Sequence, residues 1–157
     1  MQRELQRELR WPNESACEAF ATQLATRPEL RSALITFEGH LGAGKTTLVR
    51  HLLRALGVTG RIRSPSYAIV ESYEGTLGPI ANIWHCDFYR FSDPREWEEA
   101  GFRDLFAQEG LKLVEWPDKA AGLLPTADLH IRLHVLPDEQ RSVTLEANTA
   151  TGMRLLP

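Results

Sequence analysis

The chain has 157 residues, 43% of them hydrophobic and 25% charged, and a formal net charge of −3. That length suits one domain with a sizeable core, and the charge excludes a general polyanion-binding surface. No apolar run is long enough to span a membrane, and residues 1–8 mix both signs of charge with no apolar stretch, which excludes a secretory signal and leads us to expect a cytoplasmic protein. The two cysteines, Cys17 and Cys86, match no metal-ligand spacing and read as free buried thiols.

Residues 4–11 read as an edge strand or a frayed end. Asn13 is placed to cap a helix running from Glu14 to Ala25. Ala33-Leu34-Ile35-Thr36-Phe37 is a short apolar run of strand type. It leads into Gly39-His40-Leu41-Gly42-Ala43-Gly44-Lys45-Thr46, a full match to the phosphate-binding loop pattern GxxxxGK[ST]. Leu48, Val49, Leu52, Leu53 and Leu56 then recur at helical spacing before Gly57, a helix stop. Strand, glycine-rich loop and helix is the order that sets phosphates at a helix N-terminus. Glycines let successive backbone N–H groups curl around phosphates, Lys45 reaches the same phosphates as a point charge, and the Thr46 hydroxyl suits Mg²⁺.

Gly57 to Ser66 is a polar connection. Tyr67 to Tyr73 reads as a strand by its β-branched and aromatic content, Glu74 to Pro79 as a hairpin loop, and Ile80 to Phe88 as an antiparallel partner strand. Asp93 caps a helix that opens at Pro94, and Gly101 separates it from a second short helix, Phe102 to Gln108. Leu111 to Trp116 is a strand, followed by a short helical piece around Ala120. His130 to Val135 and Ser142 to Ala147 are terminal strands, turned at Pro137 to Gln140. The alternation predicts an α/β fold of P-loop NTPase type, with a mixed, largely parallel central sheet flanked by helices. One domain would span residues 1–157, with 1–10 and 149–157 able to fray.

A P-loop enzyme needs a further acid near its metal, usually at the end of an apolar strand. Asp87 and Glu115 both meet that condition, because ligands bind beyond the carboxyl ends of sheet strands; each could instead be a surface carboxylate or a helix cap. Ser64-Pro65-Ser66 could carry a hydroxyl that senses a γ-phosphate, or be a plain turn. His85 could be a base or a ligand, though a lone histidine near a strand end is more often a structural hydrogen-bonder. Trp116 reads more safely as core than as an exposed partner anchor. Arg63 and Arg90 are the candidates for an arginine finger.

In order and spacing, the loop through Thr47, then Ser64-Pro65-Ser66-Tyr67, His85-Cys86-Asp87-Phe88-Tyr89-Arg90 and Glu115-Trp116-Pro117 resemble the TsaE (YjeE-type) P-loop ATPase family, over about residues 10 to 147. The resemblance implies a protein that binds ATP and Mg²⁺ and hydrolyses ATP slowly alone. It implies work with the TsaD and TsaB proteins in the complex that makes N6-threonylcarbamoyladenosine at position 37 of tRNAs reading A-starting codons, with tRNA met through that complex. By the same resemblance, Leu41, Gly42, Ala43, Gly44, Lys45, Thr46, Thr47, Glu14, Arg141 and Ser66 contact the nucleotide. Thr46, Glu115 and Asp87 form the metal site, and Lys45, Asp87 and Glu115 carry the chemistry. His40 stands where Asp is common, Cys17 where Thr is frequent, Ser66 where Thr is usual and Phe88 where Leu is common. The residues also admit a P-loop small-molecule kinase, although no Arg-rich lid is evident, or a nucleotide-gated interaction module with negligible hydrolysis. A GTPase is disfavoured by the lack of an NKxD motif.

Overall fold

The computed structural model describes residues 5–65, 68–76 and 82–157. Its strands are β1 (Gln6–Trp11), β2 (Leu34–Glu38), β3 (Val70–Glu74), β4 (Asn82–Asp87), β5 (Leu111–Glu115), β6 (Leu129–Val135) and β7 (Arg141–Ala147). Its helices are α1 (Glu14–Leu24), α2 (Lys45–Ala55), α3 (Pro94–Glu99), α4 (Phe102–Ala107) and α5 (Ala150–Leu155). All seven strands join one sheet in the order β1-β7-β6-β2-β5-β4-β3. The central strands β6, β2, β5 and β4 are parallel, and the outer pairings β6–β7, β7–β1 and β4–β3 are antiparallel. The fold is therefore the expected mixed α/β sheet, parallel at its centre and antiparallel at both edges.

Burial follows from this layering. Every residue of β5 is buried, as a strand covered on both faces must be. On one face, α1, α2 and α5 pack over Ile35, Phe37, Leu113, Ile131 and Val143. On the other, α3 and α4 bring Trp97 and Phe102 onto Leu34, Cys86, Phe88 and Val114. Phe88 anchors this second cluster, with ring centroids 5.5 Å from Phe91, 5.9 Å from Trp97 and 5.4 Å from Phe102. Farther along the same face a polar network replaces helices. Thr36 Oγ1 meets His130 Nδ1 at 2.6 Å, His130 Nε2 meets Glu38 Oε1 at 2.9 Å, and Arg132 bridges Glu38 and Glu146, each at 3.2 Å. Glu38 immediately precedes Gly39, so this network ties the start of the glycine-rich loop to β6.

Local chemistry sets the boundaries. Asn13 Oδ1 accepts from the Ala16 amide at 3.1 Å and caps α1. Asp93 Oδ1 accepts from the Arg95 amide at 2.9 Å and caps α3. Residues 66–67 and 77–81 lie outside the described ones, which removes Ser66, the start of each expected hairpin strand and half of the expected hairpin loop from view. The antiparallel pairing itself is present, running from Val70↔Cys86 to Glu74↔Asn82.

Two stretches add to the sequence reading. Pro28–Ser32 forms a 3-10 turn between α1 and β2 that carries too few residues for a periodic signal. Residues 149–157, read as able to fray, hold α5. Thr149 Oγ1 accepts from the Gly152 amide at 3.0 Å and donates to Asp128 Oδ1 at 2.6 Å, and Leu155 and Leu156 are buried. Gly152 is needed for closeness: a Cβ there would lie 1.8 Å from the Asp128 carbonyl oxygen. Of the two readings of residues 4–11, the edge strand holds from Gln6.

Candidate nucleotide-binding site

The loop between β2 and α2 takes a shape that only its glycines allow. Gly42 and Gly44 have φ of 83° and 111°, which side-chain-bearing residues rarely adopt. At Gly39 a Cβ would sit 2.8 Å from the Leu133 carbonyl oxygen and 3.0 Å from Ala43 Cβ. The chain thus folds tightly over β6 and delivers Gly44 as the N-cap of α2, an 11-residue helix with no capping side chain. Its first amides have no partner within the helix and carry the positive end of its dipole, a ready site for an anion.

Lys45 is buried although charged, at 5% exposure. Its ammonium donates to the Gly39 carbonyl and, at 3.5 Å, to the His40 carbonyl. It lies 3.9 Å from the centre of the Trp116 ring. Burial pulls the Lys45 pKa below the ordinary lysine range, against the attraction of Glu115 and Asp87. Trp116 is therefore only partly a core residue. Its φ of 57° turns the chain out of β5, a left-handed conformation uncommon for a residue with a bulky side chain. The turn lays the indole over Lys45 and 4.9 Å from the Tyr89 ring.

The two strand-end acids sit side by side, because β4 and β5 are in register with Asp87 opposite Glu115. Thr46 Oγ1 donates to Glu115 at 3.0 Å (Oε1) and 3.2 Å (Oε2). His85 Nε2 lies 2.6 Å from Glu115 Oε2, with both side chains buried. Asp87 Oδ1 accepts from the Tyr89 amide at 2.9 Å. Burial pushes the Asp87 carboxyl above the ordinary carboxylate range; the Tyr89 amide opposes this and the charge of Glu115 adds to it.

Lys45, Thr46, Asp87, Glu115 and Trp116 line a cleft of about 270 Å³, together with Leu41, Gly42, Gly44, Thr47, Ser64 and Arg141. An adjoining cavity of about 160 Å³ is walled by Ala43, Thr47, Glu14 and Arg141 with Trp11, Asn13 and Cys17. Every expected site residue among the described ones thus borders one or both cavities; Ser66 lies outside the described residues. Arg141 joins the two, its Nε donating to the Ala43 carbonyl at 2.9 Å and a second nitrogen donating to the Glu139 carbonyl. Among the described residues it is the arginine that lines the larger cleft, where Arg63 and Arg90 do not. Glu14 Oε2 is held by His51 Nε2 of α2 at 2.9 Å. Burial, with Glu14 nearby, raises the Cys17 thiol to about 11, so Cys17 meets a ligand as a neutral wall. Trp11 and His51 were missed by the sequence reading; an aromatic at a strand end and a histidine inside an amphipathic helix carry no signal of a ligand.

The donor set suits Mg²⁺. A hydroxyl and two carboxylates are hard oxygen ligands. No cluster of three or more His, Cys, Asp or Glu among the described residues could hold a metal by itself. That fits an ion which binds through one or two carboxylates plus substrate phosphates. No helix among the described residues is long and apolar enough to cross a membrane.

The family described as "TsaE: Threonylcarbamoyl adenosine biosynthesis protein TsaE" matches residues 11–143. The chain is 38% identical over 126 residues to the tRNA threonylcarbamoyladenosine biosynthesis protein TsaE of Haemophilus influenzae, covering 80% of this chain and 77% of that protein. It is 33% identical over 152 residues to the Bacillus subtilis protein of the same name, covering 94% and 89%. The crystal structure of Bacillus subtilis YdiB superposes with a TM-score of 0.74 at 28% identity, covering 96% of this chain and 90% of that one. A phosphate-loop fold, the acids aligned beside it and a family match over most of the length lead to one assignment: the chain belongs to the TsaE family of tRNA threonylcarbamoyladenosine biosynthesis.

Proposed function

We propose that this chain is the Mg²⁺-dependent ATPase subunit of a cytoplasmic complex with TsaD and TsaB proteins. That complex would make threonylcarbamoyladenosine at position 37 of tRNAs reading A-starting codons. The observation that carries the reading is the Thr46–Glu115 hydrogen bond at 3.0 Å beneath the glycine-rich loop, with Asp87 in register beside it. A hydroxyl, two buried carboxylates and a buried lysine gathered at one helix N-terminus support a nucleotide-phosphate site.

Each group has a task. The amides from Leu41 to Thr47 receive the phosphates, and Lys45 exchanges the Gly39 and His40 carbonyls for phosphate oxygens. Thr46 and Glu115 would hold Mg²⁺, which when bound supplies charge neutralisation at the transferring phosphoryl group. Glu115 is already engaged by Thr46 and His85, so Asp87 is the acid left to orient the attacking water. Its raised pKa suits a group that holds a water proton. Arg141 spans the phosphate cleft and the Trp11–Glu14–Cys17 cavity, so the nucleoside extends into that cavity. The Arg141 guanidinium is engaged by the Ala43 and Glu139 carbonyls. An arginine supplied to the γ-phosphate is worth about 10³–10⁵ in rate, so the isolated chain hydrolyses ATP slowly and its partners complete the site. The test is reconstitution of ATP- and tRNA-dependent modification with TsaD and TsaB. A Lys45→Ala chain that supports modification as well as wild type would overturn the proposal.

A further inference from the structure

We infer that His85 is a positioning residue for the metal site. Through its Nε2 it clamps the Glu115 carboxylate in the orientation in which Thr46 and Glu115 hold Mg²⁺. The inference rests on the nucleotide reading given above.

The geometry assigns the proton. His85 Nε2 lies 2.6 Å from Glu115 Oε2. Glu115 also accepts from the Thr46 hydroxyl through both oxygens, at 3.0 and 3.2 Å. As a metal ligand Glu115 is a carboxylate, which only accepts, so the contact requires Nε2–H as its donor. His85 Nδ1 is the one buried side-chain nitrogen or oxygen among the described residues with no hydrogen-bond partner.

The strand explains the spacing. His85 and Asp87 are two apart on β4, and side chains two apart in a strand share a face. Asp87 stands opposite Glu115, at the strand end. His85 is one pleat behind, at 1% exposure, where it reaches the same carboxylate from within the protein. Cys86, between them, joins the opposite cluster. Glu115 is thus gripped from two sides, by Thr46 of α2 and His85 of β4. A clamp of this kind removes the carboxylate's freedom before the metal arrives, and losing such an outer-shell partner costs about 10–100-fold in metal affinity.

Calorimetric titration of the full chain with ADP, with and without Mg²⁺, tests this. Wild type should bind more tightly with Mg²⁺. His85→Asn, whose short amide cannot reach Glu115 from the Nε2 position, should lose about 10–100-fold of the Mg²⁺-dependent affinity and bind ADP without Mg²⁺ as wild type does. His85→Gln, whose amide nitrogen replaces Nε2, should restore the Mg²⁺ effect. Nitrogen NMR of the metal-free wild-type imidazole should show Nε2 protonated and hydrogen-bonded, and it decides the matter if His85→Asn does not fold. An Nε2 without a proton overturns the inference. So does equal weakening of His85→Asn with and without Mg²⁺, an unimpaired His85→Asn, or failure of His85→Gln to recover. If wild type itself gains nothing from Mg²⁺, the metal site is wrong and the inference falls with it.

Discussion

Asp87→Asn should stabilise the ligand-free protein while disabling it. Asp87 and Glu115 end neighbouring parallel strands in register. Such strands lie about 4.8 Å apart. Two like charges about 5 Å apart interact by roughly 1 kcal/mol in a water-like medium and roughly 3 kcal/mol at an effective dielectric of 20. Lys45 offsets part of this, yet burial and Glu115 leave the Asp87 pKa raised on balance. Asp87 is buried at the cleft, so the higher figure is the ceiling, and the Lys45 offset brings the net to about 1 kcal/mol. Asparagine keeps an oxygen for the Tyr89 amide, which removes the charge and little else. A gain of about 1 kcal/mol is a Tm increase of about 2–4 °C for a chain of this size. The sign with pH is set by the raised pKa. The carboxyl is neutral in both states below its unfolded value of about 3.8, and charged at a cost to the fold once pH passes its higher folded value. The Tm advantage of Asp87→Asn is therefore full at neutral pH and closes as pH falls through that window. Thermal melts across pH, without nucleotide or Mg²⁺, check it. A lower Tm for Asp87→Asn at neutral pH, or a gap that does not close in acid, would refute the reasoning.

Other expectations concern the loop and the C-terminal helix. Lys45→Ala removes two charge-assisted contacts worth about 1.5–3 kcal/mol each, so ATP affinity measured by calorimetry should fall at least about tenfold. Thr46→Ser keeps the hydroxyl that reaches Glu115 and should retain Mg²⁺-dependent nucleotide binding, whereas Thr46→Ala should lose it and keep the fold by circular dichroism. Gly152→Ala forces a methyl into the Asp128 carbonyl. It should destabilise the chain by at least about 1–3 kcal/mol, read as a lower Tm with the nucleotide site intact in the surviving folded protein.

How far the sequence reveals this molecule depends on which force sets each feature. Strong local signals carried through: the glycine-rich loop, the Asn13 and Asp93 caps, the β-branched runs and the Asp87 and Glu115 strand ends. Each is written in a few adjacent residues. Features that arise from contacts distant in the chain did not. The α5 helix exists because Thr149 and Gly152 meet Asp128, more than twenty residues earlier, and its six residues are too few for periodicity to show. Trp116 looks like core until the turn at φ 57° places it over Lys45. His85 looks like any structural histidine until β4 and β5 are aligned. Arg141 was named only through the family resemblance, and its place in the cleft follows from β7 lying beside β6, whose Leu133 backs the loop; Arg63 and Arg90, the finger candidates, do not line that cleft.

The central claim is that this loop turns over ATP in the service of a tRNA-modifying assembly. The direct measurement is phosphate release from ATP by the purified chain, alone and after addition of TsaD, TsaB and tRNA, with Lys45→Ala in parallel. The account predicts slow release alone, marked acceleration by the partners with formation of threonylcarbamoyladenosine over repeated cycles, and loss of both in Lys45→Ala. Partners that neither bind the chain nor change its phosphate release, or modification that proceeds unaltered with Lys45→Ala, would contradict it.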